Sequence, residues 1–229
     1  MNILLLTGGR TGSSLLNGYL RQLGVGKPDA WLDRKFFSAD YTLDEIHTFL
    51  ETKRKNDILA VKASWWYFLE ICEKLDIGMR ELMDACFPNP KVVYMTRNDR
   101  VHQGLSRVKH EMLSKSHVRA EQSMAEYKER ESELLNVDVP VEAIQEQMLA
   151  VAYGRVAYEM FFKEFEIEPY RLAFEEFIFR KVRTLEKLLL FFEIPYPEGV
   201  EITDEYQSTH SPINEKWHQG VLKGAYNIV

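Results

Sequence analysis

The sequence is poor in cysteine, in long apolar runs and in excess positive charge. Its two cysteines, Cys72 and Cys86, both lie in helical apolar patterns, which favours buried free thiols in a reducing compartment over a disulfide. No run of about 18 apolar residues is present, and this excludes a transmembrane helix. The formal net charge of −6 argues against nucleic acid as the main partner.

Signals for metal binding and for export are also missing. The six histidines show neither HxxxH spacing nor clustering with cysteine, so no metal site is expected. No basic region precedes the apolar residues 3–6, which continue directly into a loop and therefore indicate a first strand instead of a signal peptide. We therefore expect a cytoplasmic location.

What is present is an alternation of strand-like and helical segments. Strands are predicted at residues 2–7, 58–62, 91–96 and 171–174, with helices between them, one of which opens with a capping box at Thr42 and Glu45. This order predicts a single α/β domain over residues 1–229, with three layers: a mainly parallel sheet of four to five strands and helices on both faces. We expect a polar excursion at residues 117–135, either a solvated helix or a mobile segment, and an irregular C-terminal segment at residues 197–229, anchored by Trp217.

The loop after the first strand has the composition of an anion-binding site. It reads Thr7-Gly8-Gly9-Arg10-Thr11-Gly12-Ser13-Ser14. Glycines let the backbone approach a ligand closely, and the N-terminus of the next helix adds its positive dipole end. The loop is not a Walker A motif, because Thr7 stands where that motif has a glycine and Ser13 where it has a lysine. Its cation is Arg10, whose planar guanidinium suits a bidentate contact with an oxyanion.

The stretch GGRTGSSLL resembles the 5′-phosphosulfate loop of sulfotransferases. The donor in that superfamily is 3′-phosphoadenosine 5′-phosphosulfate (PAPS), and the resemblance implies a P-loop-like fold. It also implies that the loop contacts the 5′-phosphate and the bridging oxygen of the donor, through Gly9, Arg10, Thr11, Gly12, Ser13 and Ser14. No metal is expected in this reaction, because the sulfuryl group itself carries little charge.

A second element of sulfotransferases is an arginine at a strand end with a serine nine residues later, which together bind the 3′-phosphate. Arg97 and Ser106 match it in the stretch VVYMTRNDRVHQGLSRV. The surrounding pattern R-x-D-x-V-x-Q-G-L-S is similar to bacterial trehalose 2-sulfotransferases and to their relatives named lipopolysaccharide sulfotransferases, as is the placement of Lys62 and Trp65. The alternative interpretation pairs Arg97 with an acid such as Asp99 and makes Ser106 an ordinary helix residue.

One catalytic position of that group is missing from this sequence. The glutamate proposed as its general base falls on Ala30, in the stretch GKPDAWLDRKFF. Asp29 is the nearest replacement and Asp33 the next, each with the alternative of a solvated loop residue. His102 and His110 are further candidates, because other sulfotransferases use histidine, and each has the alternative of a helix-surface position.

Three further features have both a functional and a structural interpretation. Lys62 is expected to stabilise charge on the leaving phosphate or to contact the acceptor, unless it is only a strand-end lysine in water. The aromatic residues 65–68 are candidates for stacking on a sugar or adenine, although helical spacing assigns at least half of them to the core. The charge run at residues 126–133 is expected to be a solvated face.

The sequence therefore predicts a PAPS-dependent sulfotransferase in which an acceptor hydroxyl attacks sulfur in line with the leaving 5′-phosphate. Arg10, Asp29 and Lys62 are the predicted catalytic residues. A carbohydrate, a glycolipid or another small hydroxyl compound is the expected acceptor. Two alternatives stay open, a phosphotransferase that uses ATP and Mg²⁺ and a PAPS-binding protein whose catalytic site has decayed. A homodimer is also left open.

Overall fold

A four-stranded parallel sheet organises the computed structural model, which describes residues 1–37, 40–113, 124–206 and 211–226. Its strands are β1 (Asn2–Thr7), β2 (Leu59–Ala63), β3 (Lys91–Thr96) and β4 (Tyr170–Ala173), in the order β2-β1-β3-β4. The predicted bounds of β1 and β3 agree with the structure, and those of β2 and β4 are shifted by one residue. The predicted α/β fold with a parallel sheet is confirmed.

Helices connect and flank the strands. Those in the described residues are α1 (Ser13–Gln22), α2 (Leu43–Glu51), α3 (Trp65–Leu75), α4 (Met79–Cys86), α5 (Arg100–Leu113), α6 (Met124–Leu134), α7 (Val141–Glu164), α8 (Phe174–Phe179), α9 (Lys181–Phe192) and α10 (Pro212–Tyr226). The expected capping box at the start of α2 is present, with Thr42 and Glu45 each bonding the backbone of the other. In the part of the chain that the structure describes, none of these helices combines the length and hydropathy needed to cross a membrane.

Both faces of the sheet are covered, which explains why all six residues of β1 are apolar or buried. Alternate side chains point to opposite faces of a strand. Leu4 and Leu6 accordingly pack in one core with residues of α2, α3, α4 and α7, whereas Ile3 and Leu5 pack in another with residues of α1, α8 and α9. The carboxyl ends of the strands therefore meet at one edge between two helical layers, where ligands bind in open parallel sheets.

The prediction of an irregular C-terminal segment over residues 197–229 is wrong for its second half. Residues 197–206 lie outside helices and strands, but α10 covers Pro212–Tyr226. Trp217 is fully buried in a third core that α10 forms with α5, α6 and α7. Pro212 is compatible with the first turn of a helix, because the amide that proline lacks has no partner there in any case. Packing on α5, which is distant in sequence, stabilises α10 beyond what its local pattern indicates.

The segment predicted as a polar excursion at residues 117–135 is helical in part. Residues 114–123 lie outside the described residues, and α6 covers residues 124–134. The charge run is not a purely solvated face, because Glu131 is buried between α5 and α10. Its Oε1 accepts hydrogen bonds from Lys109 Nζ and Ser211 Oγ, each at 2.6 Å. Partners from other helices thus compensate a carboxylate whose own neighbours in sequence are exposed.

Candidate active site

The loop between β1 and α1 is wound into left-handed conformations. Gly9 and Gly12 have φ angles of 79° and 76°, and Arg10 has 56° although it carries a side chain. An L-residue in this region costs about 1–2 kcal/mol. The Thr7 hydroxyl accepts from the Gly9 amide at 3.1 Å and lies 2.5 Å from the Thr11 hydroxyl, which supports the turn from within. The first helical turn that follows has Gly12 as its N-cap and no side-chain cap, so its amides are available to an anion.

Two side chains of α5 form hydrogen bonds with the backbone of the loop. Gln103 Nε2 donates to the Gly9 carbonyl at 2.7 Å, and Arg107 Nη1 donates to the Gly8 carbonyl at 2.6 Å. Residues 103 and 107 lie one turn apart, so both side chains leave the same face of the helix. Gln103 is buried and its contact with the loop has no local sequence signal, apart from its place in the pattern around Arg97. The loop carbonyls are thereby directed towards α5.

Ser106 and Arg10, which the sequence assigns to two separate motifs, contact each other. Arg10 Nε donates to Ser106 Oγ at 2.8 Å. A serine hydroxyl can accept one hydrogen bond and donate another, so this contact leaves Ser106 able to donate to a phosphate oxygen. The structure therefore joins the loop and the α5 serine into one constellation.

Arg97 follows β3 directly and lies beside the loop. Its guanidinium is 4.9 Å from the ring centroid of Phe174, and a Cβ on Gly12 would lie 2.6 Å from the same ring. Within the described residues, the buried Nε of Arg97 has no hydrogen-bond partner. The interpretation that pairs Arg97 with Asp99 is not supported, because Asp99 Oδ2 contacts His102 Nδ1 at 2.7 Å. Phe174 was not predicted as a site residue, although it directly follows β4 at the same edge.

A network of backbone contacts fixes the turn after Arg97. The Glu175 carboxylate accepts from the amides of Asn98 and Asp99 at 3.1 and 3.2 Å. The Arg155 guanidinium of α7 donates to the Arg97 carbonyl. The Arg97 side chain is therefore carried by a turn that both α7 and α8 stabilise.

Lys62 and Asp29 lie together at the open edge of β2. Lys62 Nζ donates to Ser14 Oγ at 3.3 Å. The Asp29 carbonyl accepts from the Lys62 amide at 2.8 Å, because the chain at residue 29 runs along the open edge of β2. Asp29 Oδ1 accepts from the Ala30 amide at 2.8 Å. The structure thus brings Asp29, Lys62 and Ser14 to one place, at the N-terminus of α1.

Burial disfavours the charged form of the cations around the loop. Desolvation is the largest cause that lowers the pKa of Arg10, Lys62, Arg97 and Arg107. Arg97 lowers the pKa of Arg10 further, and the Asp29 carboxylate opposes the shift of Lys62. Arginine stays protonated in spite of such shifts, so the site keeps its positive charge and an entering anion would relieve the burial cost.

A pocket of about 250 Å³ adjoins the loop on the side of α3 and α5. Its wall includes Gly9 and Arg10, the aromatic side chains of Trp66 and Tyr67, and His110. Of the aromatic residues 65–68, Phe68 belongs to the core and Trp65 packs against Tyr158 at a centroid distance of 5.6 Å, as the structural interpretation expects. Trp65 also lines the pocket, so three of these four aromatic residues adjoin the cavity next to the loop.

Tyr158 at the back of this pocket was missed by sequence reasoning. Its hydroxyl lies within hydrogen-bond distance of the carbonyls of Thr7, at 3.2 Å, and Ala63, at 3.3 Å. These residues end β1 and β2, so the tyrosine ties the two strand ends together. Burial raises the pKa of Tyr158 far above its ordinary value, which keeps the hydroxyl protonated. Nothing in its local sequence separates it from the other aromatic residues of α7.

The remaining candidate bases are placed differently. Asp33 caps the 3-10 turn Arg34–Phe36 and forms an ion pair with Lys35 at 3.0 Å. His102 contacts Asp99 and packs against His218 of α10 with tilted rings and 4.4 Å between their centroids, whereas His110 lines the pocket beside Arg10. Within the described ranges, no three His, Cys, Asp or Glu side chains are grouped so that they could hold a metal ion. Metal-independent transfer stays a prediction.

Comparisons with known proteins point to one family and one fold. The family model described as Stf0 sulphotransferase matches residues 52–217, which include Lys62, Arg97 and Ser106 but not the loop at residues 7–14. A solved structure titled "Crystal Structure of Sulfotransferase from Alicyclobacillus acidocaldarius" is 16% identical with a TM-score of 0.53, over 100% of this chain and 96% of that one. A "Sulfotransferase Domain from the Curacin Biosynthetic Pathway" is 15% identical with a TM-score of 0.51, over 93% and 81%. No curated protein matches the chain.

Proposed function

Because the chain belongs to the Stf0 sulphotransferase family, we propose that it transfers a sulfuryl group from PAPS to a hydroxyl of a carbohydrate, a glycolipid or another small acceptor. The observation that carries the proposal is the pairing of two anion sites at one sheet edge. One is the left-handed loop with the uncapped N-terminus of α1, and the other is Arg97 with its buried Nε. Two phosphate groups on one nucleotide fit two such sites.

The donor is assigned to the loop and to the strand end that follows it. Residues 9–14 would contact the 5′-phosphate through backbone amides and the hydroxyls of Ser13 and Ser14. Arg97 would contact the 3′-phosphate, and Ser106 would donate to it while accepting from Arg10 Nε. The residues present fit this donor, because Arg10, Lys62 and Arg97 are cations whose burial cost an entering anion would relieve.

In this reaction the protein would position the donor and the acceptor and would stabilise the charge that develops between them. When bound, PAPS supplies the sulfuryl group and its bisphosphate is the leaving group. The acceptor oxygen forms a bond to sulfur as the bond from sulfur to the bridging oxygen breaks, and the hydroxyl proton passes to a base. Arg10, Lys62 and the loop amides would stabilise the negative charge that develops on the leaving phosphate.

Asp29 is proposed as the base. It lies next to Lys62, and its Oδ1 already accepts from a backbone amide, which orients the carboxylate. The aromatic side chains of the pocket of about 250 Å³ suit the apolar face of a sugar ring or a similar small molecule. Asp29 does not line this pocket, so an acceptor held there would have to extend from it to Lys62 and Asp29. An Asp29→Asn variant should keep donor binding and lose about 10²–10⁴-fold in transfer rate.

The test is calorimetric titration with adenosine 3′,5′-bisphosphate, adenosine 5′-phosphate and ATP with Mg²⁺. We expect metal-independent binding of the bisphosphate and weaker binding of the two other nucleotides. Arg97→Ala should weaken the binding of the bisphosphate by about 10–100-fold, the range expected for the loss of one charged hydrogen-bonding partner. The variant should then bind the bisphosphate no more tightly than adenosine 5′-phosphate. Arg100→Ala is the matched control, because Arg100 is exposed three residues further on.

Each outcome has a definite meaning. Preference for ATP with Mg²⁺ would contradict the proposal and favour a phosphotransferase. Bisphosphate binding that Arg97→Ala and Arg100→Ala weaken equally would contradict the role of Arg97. Intact binding without transfer to any hydroxyl compound would favour the alternative of a decayed catalytic site, which the alanine at residue 30 first suggested.

A further inference from the structure

Arg21 of α1 contacts two segments that are distant from each other in the sequence. Its Nη1 donates to the Pro28 carbonyl at 3.2 Å, and its Nη2 forms an ion pair with the Glu205 carboxylate. The side chains of Arg21 and Glu205 are 27% and 34% exposed, so most of the pair is withdrawn from solvent. Asp29, the proposed base, follows Pro28 directly. One guanidinium thus joins the C-terminal part of the chain to the backbone beside Asp29.

The backbone of Pro28 and Asp29 is held from two sides. On the side of α1, the Pro28 carbonyl accepts from Arg21. On the side of β2, the Asp29 carbonyl accepts from the Lys62 amide at 2.8 Å. The carboxylate is tied to the same backbone, because Asp29 Oδ1 accepts from the Ala30 amide at 2.8 Å. A displacement of the Pro28 carbonyl would therefore move the carboxylate relative to Lys62.

The charge of Arg21 also reaches the site. Burial is the largest cause that lowers the pKa of Lys62, and the Arg21 guanidinium is one of the neighbouring charges that lower it further. Burial alone would lower the pKa of Arg21 as well, but its hydrogen bonds with Glu205 and Tyr206 raise it. Glu205 thus offsets a positive charge that repels Lys62, and it stabilises a second cation beside the site.

The ion pair adds more than an attachment of the C-terminal segment to α1. Gln22 already bonds the backbone of Thr203 in both directions. Its Nε2 donates to the Thr203 carbonyl at 2.9 Å, and its Oε1 accepts from the Thr203 amide at 2.8 Å. What Arg21 adds to these contacts is the hydrogen bond to Pro28, which leads to the site.

We propose that Arg21 is a positioning residue for Asp29, and that Glu205 acts through Arg21 by holding its guanidinium against the Pro28 carbonyl. The C-terminal segment then affects the transfer rate from outside the loop and the pocket. The effect on the rate rests on the proposed function, because it requires Asp29 to be the base. The placement of the backbone does not, and it is tested separately.

Hydrogen exchange of single backbone amides, measured by NMR on the full chain, tests the placement. The Lys62 amide is the reporter, because it donates to the Asp29 carbonyl. The Leu59 amide is the internal reference, because it donates to the Met1 carbonyl at 3.0 Å on the other side of β2. Arg21→Gln should speed exchange of the Lys62 amide by about 10–100-fold, the range for a lost hydrogen bond to a charged group, and that of Leu59 by less than about 2-fold.

Arg171→Gln is the matched control. It breaks an ion pair with Glu159 at the opposite edge of the sheet, where Arg171 Nη1 lies 2.6 Å from Glu159 Oε1. A general loss of stability from a broken ion pair would appear in both variants. We therefore expect Arg171→Gln to leave the exchange of the Lys62 amide unchanged.

Exchanging the two charges separates positioning from attachment. Arg21→Glu/Glu205→Arg restores an ion pair, so it should recover most of the urea stability that Arg21→Gln loses. A carboxylate at position 21 cannot donate to the Pro28 carbonyl, so the Lys62 amide should still exchange rapidly. Recovery of both properties would mean that the pair only attaches the C-terminal segment, and the proposal would be overturned. Unchanged exchange of the Lys62 amide in Arg21→Gln would overturn it as well.

The rate is measured with PAPS and methyl α-D-glucopyranoside. Arg21→Gln and the charge exchange should each lower kcat by about 10–100-fold and leave the KM for PAPS unchanged, because the base is displaced while the loop is not. If Asp29→Asn leaves kcat unchanged, the proposed base is wrong. Hydrogen exchange decides the placement in that case too, and also if this sugar is no acceptor.

Discussion

Replacing Gly12 by alanine tests the geometry of the loop most directly, because the chain contains a matched control. Gly12 and Gly199 have similar positive φ angles, of 76° and 70°. A Cβ on Gly12 would lie 2.6 and 2.8 Å from two ring carbons of Phe174, whereas a Cβ on Gly199 would meet nothing within 4 Å. Both substitutions therefore impose the same backbone strain, and only one imposes a steric clash.

The backbone strain and the steric clash determine the expected losses of stability. Alanine in the left-handed region costs about 1–2 kcal/mol, part of which is offset by about 0.4–1 kcal/mol from the lower entropy of the unfolded chain. Gly199→Ala should therefore lower the free energy of unfolding by roughly 1 kcal/mol. The clash at Gly12 forces the Phe174 ring to move, and overpacking of this kind costs about 1–3 kcal/mol more. Gly12→Ala should thus be the more destabilising of the two by that amount.

Urea unfolding, analysed with the same dependence of the free energy on urea for all variants, measures the difference in stability between Gly12→Ala and Gly199→Ala. Adding Phe174→Leu to Gly12→Ala should recover most of the excess, since the smaller side chain makes room, and the double variant should cost less than the two single changes together. Equal losses for Gly12→Ala and Gly199→Ala would refute the close approach of the Phe174 ring to the loop. The nucleotide titration provides a second readout, because the displaced ring lies against the Arg97 guanidinium.

Two other predictions concern buried polar groups. Glu131→Ala should lower the free energy of unfolding by about 3–5 kcal/mol, because it leaves the buried Lys109 ammonium without its carboxylate, and the exposed Glu133→Ala should change it by less than about 0.5 kcal/mol in the same urea experiment. Burial, followed by the hydrogen bond to Asp204, raises the pKa of Tyr19 to about 12. The folded state therefore favours the protonated phenol. The stabilisation that Tyr19 gives to the fold through this preference is fully present below pH 10 and is lost as the pH rises towards 12. Tyr19→Phe should make the alkaline fall of the urea midpoint shallower, and an unchanged slope would count against the shift.

Local sequence patterns were sufficient to predict those strands that are buried and that have a chain breaker at one end. The strand β3 begins after Pro90, and β1 ends before Gly8, so an apolar run and a chain breaker define each of them. The positions of the loop after β1 and of Arg97 after β3 were likewise predictable, because glycines, hydroxyls and a strand-end arginine are local features. In these cases the residues that determine the structure lie next to each other in the chain.

The features that were missed or wrongly predicted depend on contacts between distant segments. Helix α10 is stabilised by the burial of Trp217 against α5, and Glu131 is compensated by Lys109, which is 22 residues away. The hydrogen bond from Arg10 to Ser106 spans 96 residues, and its existence depends on the angle at which α5 crosses the loop. A sequence pattern contains no information on that angle, so it could assign both residues to phosphate contacts but not to each other.

The charge of the whole chain and the charge of its site have opposite signs, and burial explains why the two can coexist. The chain has a formal net charge of −6, yet desolvation lowers the pKa of Arg10, Lys62 and Arg97 at the carboxyl edge of the sheet. Those cations cost the empty protein free energy, and an anion in the same low dielectric would return it. If the proposed donor binds at the loop, its affinity would therefore originate in the burial of a few cations inside an otherwise acidic molecule.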